Sequence, residues 1–525
     1  MFDIPERMNA ADYFVDRHLR EGRGDKVAVV DVGQGTEYTY RQVFEQVNRF
    51  GNALKHRLDV RMEERVMLLL LDSVAFVAGF FGSIKTGAVP IPTNTLLQTD
   101  DYRYLLNDSR ARVLVVSAAL LPRISAILGQ APYLHHLVVD GDAELEDIPS
   151  QIRPHRLAEL LGEQSGTLEP EMMSKDDPCF WLYSSGTTGF PKGTVHLHHD
   201  MLVCLHTFGR HVLGIKDDDR TFSVAKLFFA YGLGNALFYP FGVGATTILY
   251  PDKPVPEKVF EIISKHKPTI FYSVPTSYAA LLNVAGAEKR FDTSSLRLCV
   301  SAGEALPPAL YQRWKTRFGV DIIDGIGSTE ALHMFISNFP GEVVAGASGK
   351  VVPGYEAKIV DENGQPVAVG EVGDLLIKGD SICAYYWNKH EATKSTIEGH
   401  WIRTGDKYKM DENGVFYYQG RSDDMLKVSG MWVSPIEVEN TLMEHEAVLE
   451  CGVIGAEDDA GLVKPKAFVV LKPGKKGSPA LTEELIRFVK SRISPHKYPR
   501  WIVYVDSLPK TATGKTQRFK LRNLK

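Results

Sequence analysis

Short apolar runs rich in β-branched residues, VAVVDV (27–32), VLVVS (113–117), HLVVD (136–140), TTILY (246–250), TIFYSVP (269–275) and LRLCVSAG (296–303), alternate with longer stretches of helical periodicity. Such alternation demands parallel sheets covered by helices, because a strand that re-enters its sheet in the same direction needs a crossover, usually a helix. Ligands in sheets of this kind gather at the carboxyl ends of the strands. At 525 residues the chain is too long for one compact core. We therefore expect a large N-terminal body with subdomains of its own and a smaller unit after it.

Local signals fill in that frame. Thr39 and Gln42 form a capping-box pair, followed by Val43, Val47, Phe50 and Leu54 at helical spacing, so a helix is expected to open there. The most apolar region, from Val66 to Pro92, is broken by Asp72, Lys85 and several glycines. It reads as a buried strand and a packed helix, since no uncharged run in it is long enough to cross a bilayer. From about residue 350 the texture changes to strands and turns, with Asn363-Gly364 and Asn413-Gly414 each set between apolar runs as hairpin turns. GRSDDMLKVSG (420–430) is charged and aperiodic, and a domain boundary is expected within it. Beyond it stand a helix capped by Ser434-Pro435, strands around VLECGVIG and AFVVLKPG, a helix from Thr482 with Leu485, Ile486, Val489 and Ile493 on one face, and a last strand WIVYV.

The fold expected is therefore α/β: a body of parallel and mixed sheets with a β-rich subdomain, residues 1–421, then a small mobile α+β domain, residues 422–525. A net charge of −5 gives no global attraction to nucleic acid or to an anionic membrane, so any polyanion must be met locally. The five cysteines stand apart, without C-x-x-C or metal spacing, and read as reduced and buried. The N-terminus, MFDIPERMNAADYF, has acids where a signal peptide needs a basic and then an apolar region, so a cytoplasmic location is expected.

YSSGTTGFPKG (183–193) is the segment with most chemistry in it. Glycines let backbone N–H groups converge, hydroxyls add donors and Lys192 adds a point charge, a combination suited to a nucleotide polyphosphate. A Walker A loop fails on spacing: Pro191 stands where Gly is needed and Gly193 where Ser or Thr is needed. TATGKT (511–516) fails too, with Pro509 in place of the first Gly. The plain alternatives are a flexible surface loop for the first segment and a solvated basic tail or nucleic-acid arm for the second.

With SAGEALP (301–307), DGIGSTE (324–330), the TGD of RTGDKY (404–406), GRSDDMLKVSG and PKTATGKTQR (509–518) in the same order and spacing, the chain resembles the acyl- and aryl-adenylate-forming superfamily over essentially its whole length. The resemblance implies activation of a carboxylate by ATP to an acyl-adenylate, then displacement of AMP by the thiol of coenzyme A. It implies that Ser184, Ser185, Gly186, Thr187, Thr188 and Lys192 hold the β- and γ-phosphates, Thr329 the α-phosphate, and that Glu330 and Thr188 serve Mg²⁺. The Gly303-Glu304-Ala305 backbone, Asp324, Gly325 and Ser328 belong to the nucleotide site, with Asp406 and Arg421 on the ribose hydroxyls. Many relatives carry an aromatic residue for adenine stacking where this chain has Ile326.

Lys515 corresponds to the family's catalytic cation, Asp423 to its hinge, and Lys427 and Gly430 to the face that lines the CoA path after the small domain turns. The stretches KLFFAYGLGNALFYPFGVG (226–244) and ALHMFISN (331–338) are most similar to benzoate-CoA ligases, which implies that Ala230, Tyr231, Gly327, His333 and Ile336 surround an aromatic ring. Benzoate leads, followed by hydroxy-, amino- or fluorobenzoates, cinnamate-like acids and medium-chain acids. A peptide-synthetase module would continue into a carrier domain, whereas this sequence stops ten residues after Lys515. A monomer and a homodimer are both compatible with the sequence.

Overall fold

The computed structural model describes residues 3–184, 190–422, 424–428, 431–458, 462–494, 497–510 and 516–524. Two sheets make the frame of the body. One has nine strands in the order Lys350–Val351, Met334–Ser337, Ile322–Gly327, Leu298–Ser301, Ile270–Ser273, Arg220–Ser223, Thr246–Leu249, Val27–Asp31, Thr36–Thr39. Its six central strands are parallel, and the outer ones at both edges antiparallel. The other sheet is parallel throughout, in the order Val89–Pro92, Arg65–Leu69, Val113–Ser117, His136–Asp140, Arg153–Arg156. Between them runs the helix Tyr40–His56, opened by Thr39 as the capping box requires: Gln42 N–H donates to Thr39 Oγ1 (3.2 Å) and Thr39 N–H to Gln42 Oε1 (2.8 Å). It packs against Val74–Lys85, every residue of which is buried, which is why the apolar region from Val66 shows no amphipathic face. Among the described residues no helix is long and apolar enough to cross a membrane.

The β-rich subdomain pairs Glu356–Val360 with Gly373–Lys378, then Trp401–Met410, then Phe416–Arg421. Asn413-Gly414 sits in the short connection between Met410 and Phe416, which face each other in register. Asn363-Gly364 does not join two strands directly. The turn still folds the chain back: Val360 bridges to Pro366, Asp361 N–H donates to the Gln365 carbonyl (2.8 Å) and Val367 N–H to that of Ile359 (3.1 Å), before Gly373–Lys378 takes over as the paired strand. The small domain has a separate apolar core of Val438, Leu442, Val453, Ala467, Val469, Leu485 and Val489 beneath the sheet Val448–Glu457, Val463–Leu471, Trp501–Tyr504. Its second helix spans Pro479–Arg492, three residues earlier than the start expected at Thr482, because Ser478 caps it and proline suits its first position. All five cysteines are free and buried.

Candidate active site

The strand Pro178–Ser184 pairs antiparallel with Lys192–Leu197, with Ser184 directly opposite Lys192. The glycine- and hydroxyl-rich ribbon therefore leaves and re-enters one sheet at adjacent points, and its end is fastened: Tyr104 Oη donates to the Pro191 carbonyl (3.0 Å) and the Tyr104 ring stacks on Phe190 (4.6 Å). Ser184 and Lys192 open onto a cavity of about 1020 Å³. Gly303, Glu304 and Ala305 line it from the end of one parallel strand, residues 324–330 from the next, Thr404, Asp406 and Arg421 from the β-rich subdomain, and Glu439, Lys510, Thr516 and Arg518 from the small domain. Ser185, Gly186, Thr187, Thr188, Asp423, Gly430 and Lys515 lie outside the described residues, as does the side chain of Lys427.

Asp324, within the strand Ile322–Gly327, is the last residue of it to pair in parallel with Leu298–Ser301 and is 6% exposed. Its Oδ2 accepts the Leu306 N–H (3.3 Å), while Oδ1 is buried without a hydrogen-bond partner. Burial pushes its carboxyl up to about 7, against the opposing pull of Ser301 and of backbone N–H groups. A raised carboxyl means the folded chain binds the proton more tightly than the unfolded one, so stability falls as pH rises from about 4 to about 7. Asp324→Asn is therefore expected to match the wild type in urea unfolding below about pH 4 and to exceed it above about pH 7, while losing ATP affinity. Equal stability of the two proteins at pH values above that range would contradict the assignment.

Asp406 and Arg421 face each other across two strands, with Nη1 3.2 Å from Oδ1, and Arg421 also donates to the Thr404 carbonyl (3.1 Å). Ser328 Oγ accepts the Ala331 N–H (3.1 Å), closing the turn that carries Thr329 and Glu330. The Thr329 carbonyl accepts from His196 Nε2 (2.8 Å), whose Nδ1 lies 2.7 Å from Asp200 Oδ2, both side chains fully buried. Glu330 Oε1 accepts from Tyr386 Oη (2.8 Å), and the Tyr386 ring lies under Lys192 Nζ at 4.2 Å. Tyr386, His196 and Asp200 escaped the sequence reading. The i,i+4 spacing of His196 and Asp200 was a visible signal, whereas Tyr386 is brought in only by pairing of Thr194 with Tyr386 across two distant segments.

Of the five residues assigned to an aromatic ring, Gly327 borders the cavity. A side chain there would meet the His333 carbonyl at 2.5 Å, so only glycine fits. Tyr231 and His333 lie together, ring centroids 5.6 Å apart, and Ala230 is half-buried at the start of the Tyr231 helix. Tyr231 Oη donates to the carbonyls of Ser273 and Val300 (3.2 Å each), spanning the ends of two parallel strands, and burial keeps its hydroxyl protonated. His333 sits among Phe208, Tyr239 and Phe238 and donates from Nε2 to Asn235 Oδ1 (3.1 Å). Burial drops its pKa to about 3, against the opposing pull of the Tyr231 carbonyl, so the ring is neutral. Ile336 does not border the cavity: it is fully buried in the core, opposite Ile326.

Arg518 and Glu439 meet at the small-domain wall of the cavity. Arg518 Nη2 lies 2.8 Å from both Glu439 oxygens, and Glu439 Oε1 also accepts the Val453 N–H (2.7 Å). Asp424 stands 3.7 Å from Arg518 and 2.7 Å from Arg522.

Residues 15–387 match the family model described as AMP-binding enzyme, and residues 437–515 that described as AMP-binding enzyme C-terminal domain. The chain is 51% identical over 521 residues to a benzoate-CoA ligase of Thauera aromatica, covering 99% of this chain and 97% of that one. It is similar in structure to an anthranilate CoA ligase in complex with anthranoyl-AMP, with a TM-score of 0.94 and 47% identity over 99% of this chain and 98% of the other. A benzoate CoA ligase from Burkholderia xenovorans LB400 superposes with a TM-score of 0.89 at 45% identity, over 98% of this chain and all of that one. The large α/β N-terminal domain and small C-terminal domain are thus those of the adenylate-forming fold, and the chain belongs to the AMP-binding enzyme family.

Proposed function

We propose that the protein is an ATP-dependent aryl-CoA ligase that converts benzoate, ATP and coenzyme A to benzoyl-CoA, AMP and diphosphate through benzoyl-adenylate. The observation that carries this reading is the cavity itself. Acceptors suited to adenosine (Asp324 and Asp406), a cation suited to phosphate (Lys192) and the glycine beside the Tyr231–His333 pair (Gly327) converge on one space.

In this reading the phosphate loop, Ser184 to Thr188 with Lys192, grips the β- and γ-phosphates, and Thr329 the α-phosphate. The Gly303–Ala305 backbone and the free Oδ1 of Asp324 receive adenine, with Gly325 and Ser328 shaping the floor, and Asp406 and Arg421 take the ribose. Ile326 is half-buried against the core, so adenine meets an aliphatic face there. Lys515 approaches from the small domain and cancels the repulsion between the incoming carboxylate and the α-phosphate, so that the carboxylate oxygen attacks phosphorus and diphosphate leaves. The small domain, residues 422–525, then turns at Asp423, withdraws Lys515 and lines a path for coenzyme A with Lys427 and Gly430; a turn of this kind asks only a few dihedrals to change.

The donor set fits Mg²⁺: among the described residues no three ligating side chains cluster, and one carboxylate, Glu330, faces the phosphate end, the mode in which Mg²⁺ is held with nucleotide oxygens. Glu330 with Thr188 would hold it. The bound ion would neutralise charge on the phosphates and orient the leaving diphosphate. Reduced, buried cysteines suit a cytoplasmic location.

Pyrophosphate release across benzoate, 4-hydroxybenzoate, 2-aminobenzoate, cinnamate and decanoate tests the substrate. Benzoate is expected to lead, and faster turnover of decanoate would overturn the aryl assignment. The neutral His333 ring beside Tyr231 favours a second reading, in which a ring hydroxyl or amino group of the acid meets it; a higher kcat/KM for one of those acids than for benzoate would select it.

A further inference from the structure

Lys192 and Glu330 bring opposite charges into one cavity. The reading above needs both: the ammonium for phosphate, the carboxylate for a divalent cation. Opposite charges in a partly enclosed cleft attract strongly, and left alone they would close on each other and be lost to the ligand. Among the described residues no ion pair joins them. One side chain engages both instead: the face of the Tyr386 ring receives Lys192 Nζ at 4.2 Å from its centroid, and the Tyr386 hydroxyl donates to Glu330 Oε1 at 2.8 Å.

The backbone around Tyr386 is built to hold it there. Cys383 N–H donates to the Glu330 carbonyl (2.7 Å), Ala384 N–H to that of Val195 (2.9 Å) and Trp387 N–H to that of Gly193 (2.8 Å). The segment is thus lashed to the Glu330 turn on one side and to the Lys192 strand on the other. Tyr386 N–H is taken by Thr393 Oγ1 (3.0 Å), and the residue is 3% exposed, so the ring has little freedom to swing away. A quadrupole face and a hydroxyl donor are what one neutral side chain offers to a cation and an anion at once.

We propose that Tyr386 is a positioning residue that keeps Lys192 and Glu330 from pairing with each other, holding the first ready for the nucleotide and the second for its divalent cation. This rests on the adenylation reading for the roles of the two charged groups. The test is equilibrium dialysis of labelled ATP against the full chain, with EDTA and across a Mg²⁺ titration, for wild type, Tyr386→Phe and Tyr386→Leu. Phenylalanine keeps the ring and removes the donor. ATP affinity in EDTA is expected to stay within about twofold of wild type, while the Mg²⁺ needed for half-maximal binding rises about tenfold, the usual effect of losing a group that orients a metal ligand. Leucine removes both, and affinity in EDTA is expected to fall about fivefold as Lys192 collapses onto Glu330. The KM for the aryl acid should hold within about twofold in both variants, since general disruption would raise it together with the rest.

Wild-type Mg²⁺ dependence in Tyr386→Phe, or wild-type ATP affinity in EDTA for Tyr386→Leu, would overturn the proposal, as would a parallel rise in the KM for the acid. The phenylalanine variant decides alone should the leucine variant not fold. A wild type that binds ATP with Mg²⁺ but exchanges no pyrophosphate with any acid would defeat the ligase reading and leave the Tyr386 result standing.

Discussion

Lys515→Ala is expected to lose benzoyl-adenylate formation, measured as exchange of labelled pyrophosphate into ATP, by at least a hundred- to a thousandfold, about the range for removing one group that stabilises transition-state charge. Transfer of the benzoyl group from preformed benzoyl-adenylate to coenzyme A should stay close to wild type. The asymmetry is the informative part. A carboxylate and a phosphate repel, and only a cation between them in the first step removes that cost; in the second step, on the reading proposed above, the electrophile is already activated and the small domain has turned. Equal loss in both half-reactions would show that Lys515 serves general architecture, and the two-conformation account would fall with it.

The second large effect concerns stability. Arg518→Ala would leave Glu439 buried with its bidentate partner gone and only the Val453 N–H to compensate. Burial already raises the Glu439 carboxyl despite the guanidinium beside it. Breaking one side of a buried pair costs about 3–5 kcal/mol, because the remaining charge is stranded. We expect a loss of that size in hydrogen-exchange protection of the strand Val448–Glu457, to which Glu439 is bonded through Val453. The double replacement Arg518→Met with Glu439→Leu should recover most of it, since apolar packing replaces a buried pair with little penalty. Wild-type protection in Arg518→Ala would show that the pair is solvated and of small energetic weight.

Local chemistry explains which features were readable from the sequence. The capping box at Thr39 and the predominantly apolar stretch at Val74–Lys85 are written in neighbouring residues, and they fold as read. The helix Pro479–Arg492 begins before its apolar face does, because a cap is a matter of hydrogen bonding at Ser478 rather than of burial. Asn363-Gly364 turns the chain back on itself as read, with Val360 bridged to Pro366 and Val367 N–H donating to the Ile359 carbonyl. Motif-bearing residues at strand ends, such as Asp324 and Gly303, come together in the cavity because parallel strands deliver their carboxyl ends to one edge. Tyr386 reaches the same place by a different route, through antiparallel pairing with a strand nearly two hundred positions earlier. No spacing rule encodes such a pairing. His333 was legible as a residue, but its neutral state follows from burial in the aromatic cage of Phe208, Phe238 and Tyr239, which only the packed molecule displays.

The shared hydrogen bond that the Tyr231 hydroxyl makes to the Ser273 and Val300 carbonyls has a consequence for how the proposed aryl slot could evolve. Its phenol is tethered to main chain rather than to another side chain, so the spacing of two strands dictates where the ring stands. Drift elsewhere in the lining leaves that wall unmoved. On that reading, a lineage moving towards bulkier acids would have to replace the tyrosine outright, because rotating it aside would strand its buried hydroxyl away from both carbonyls.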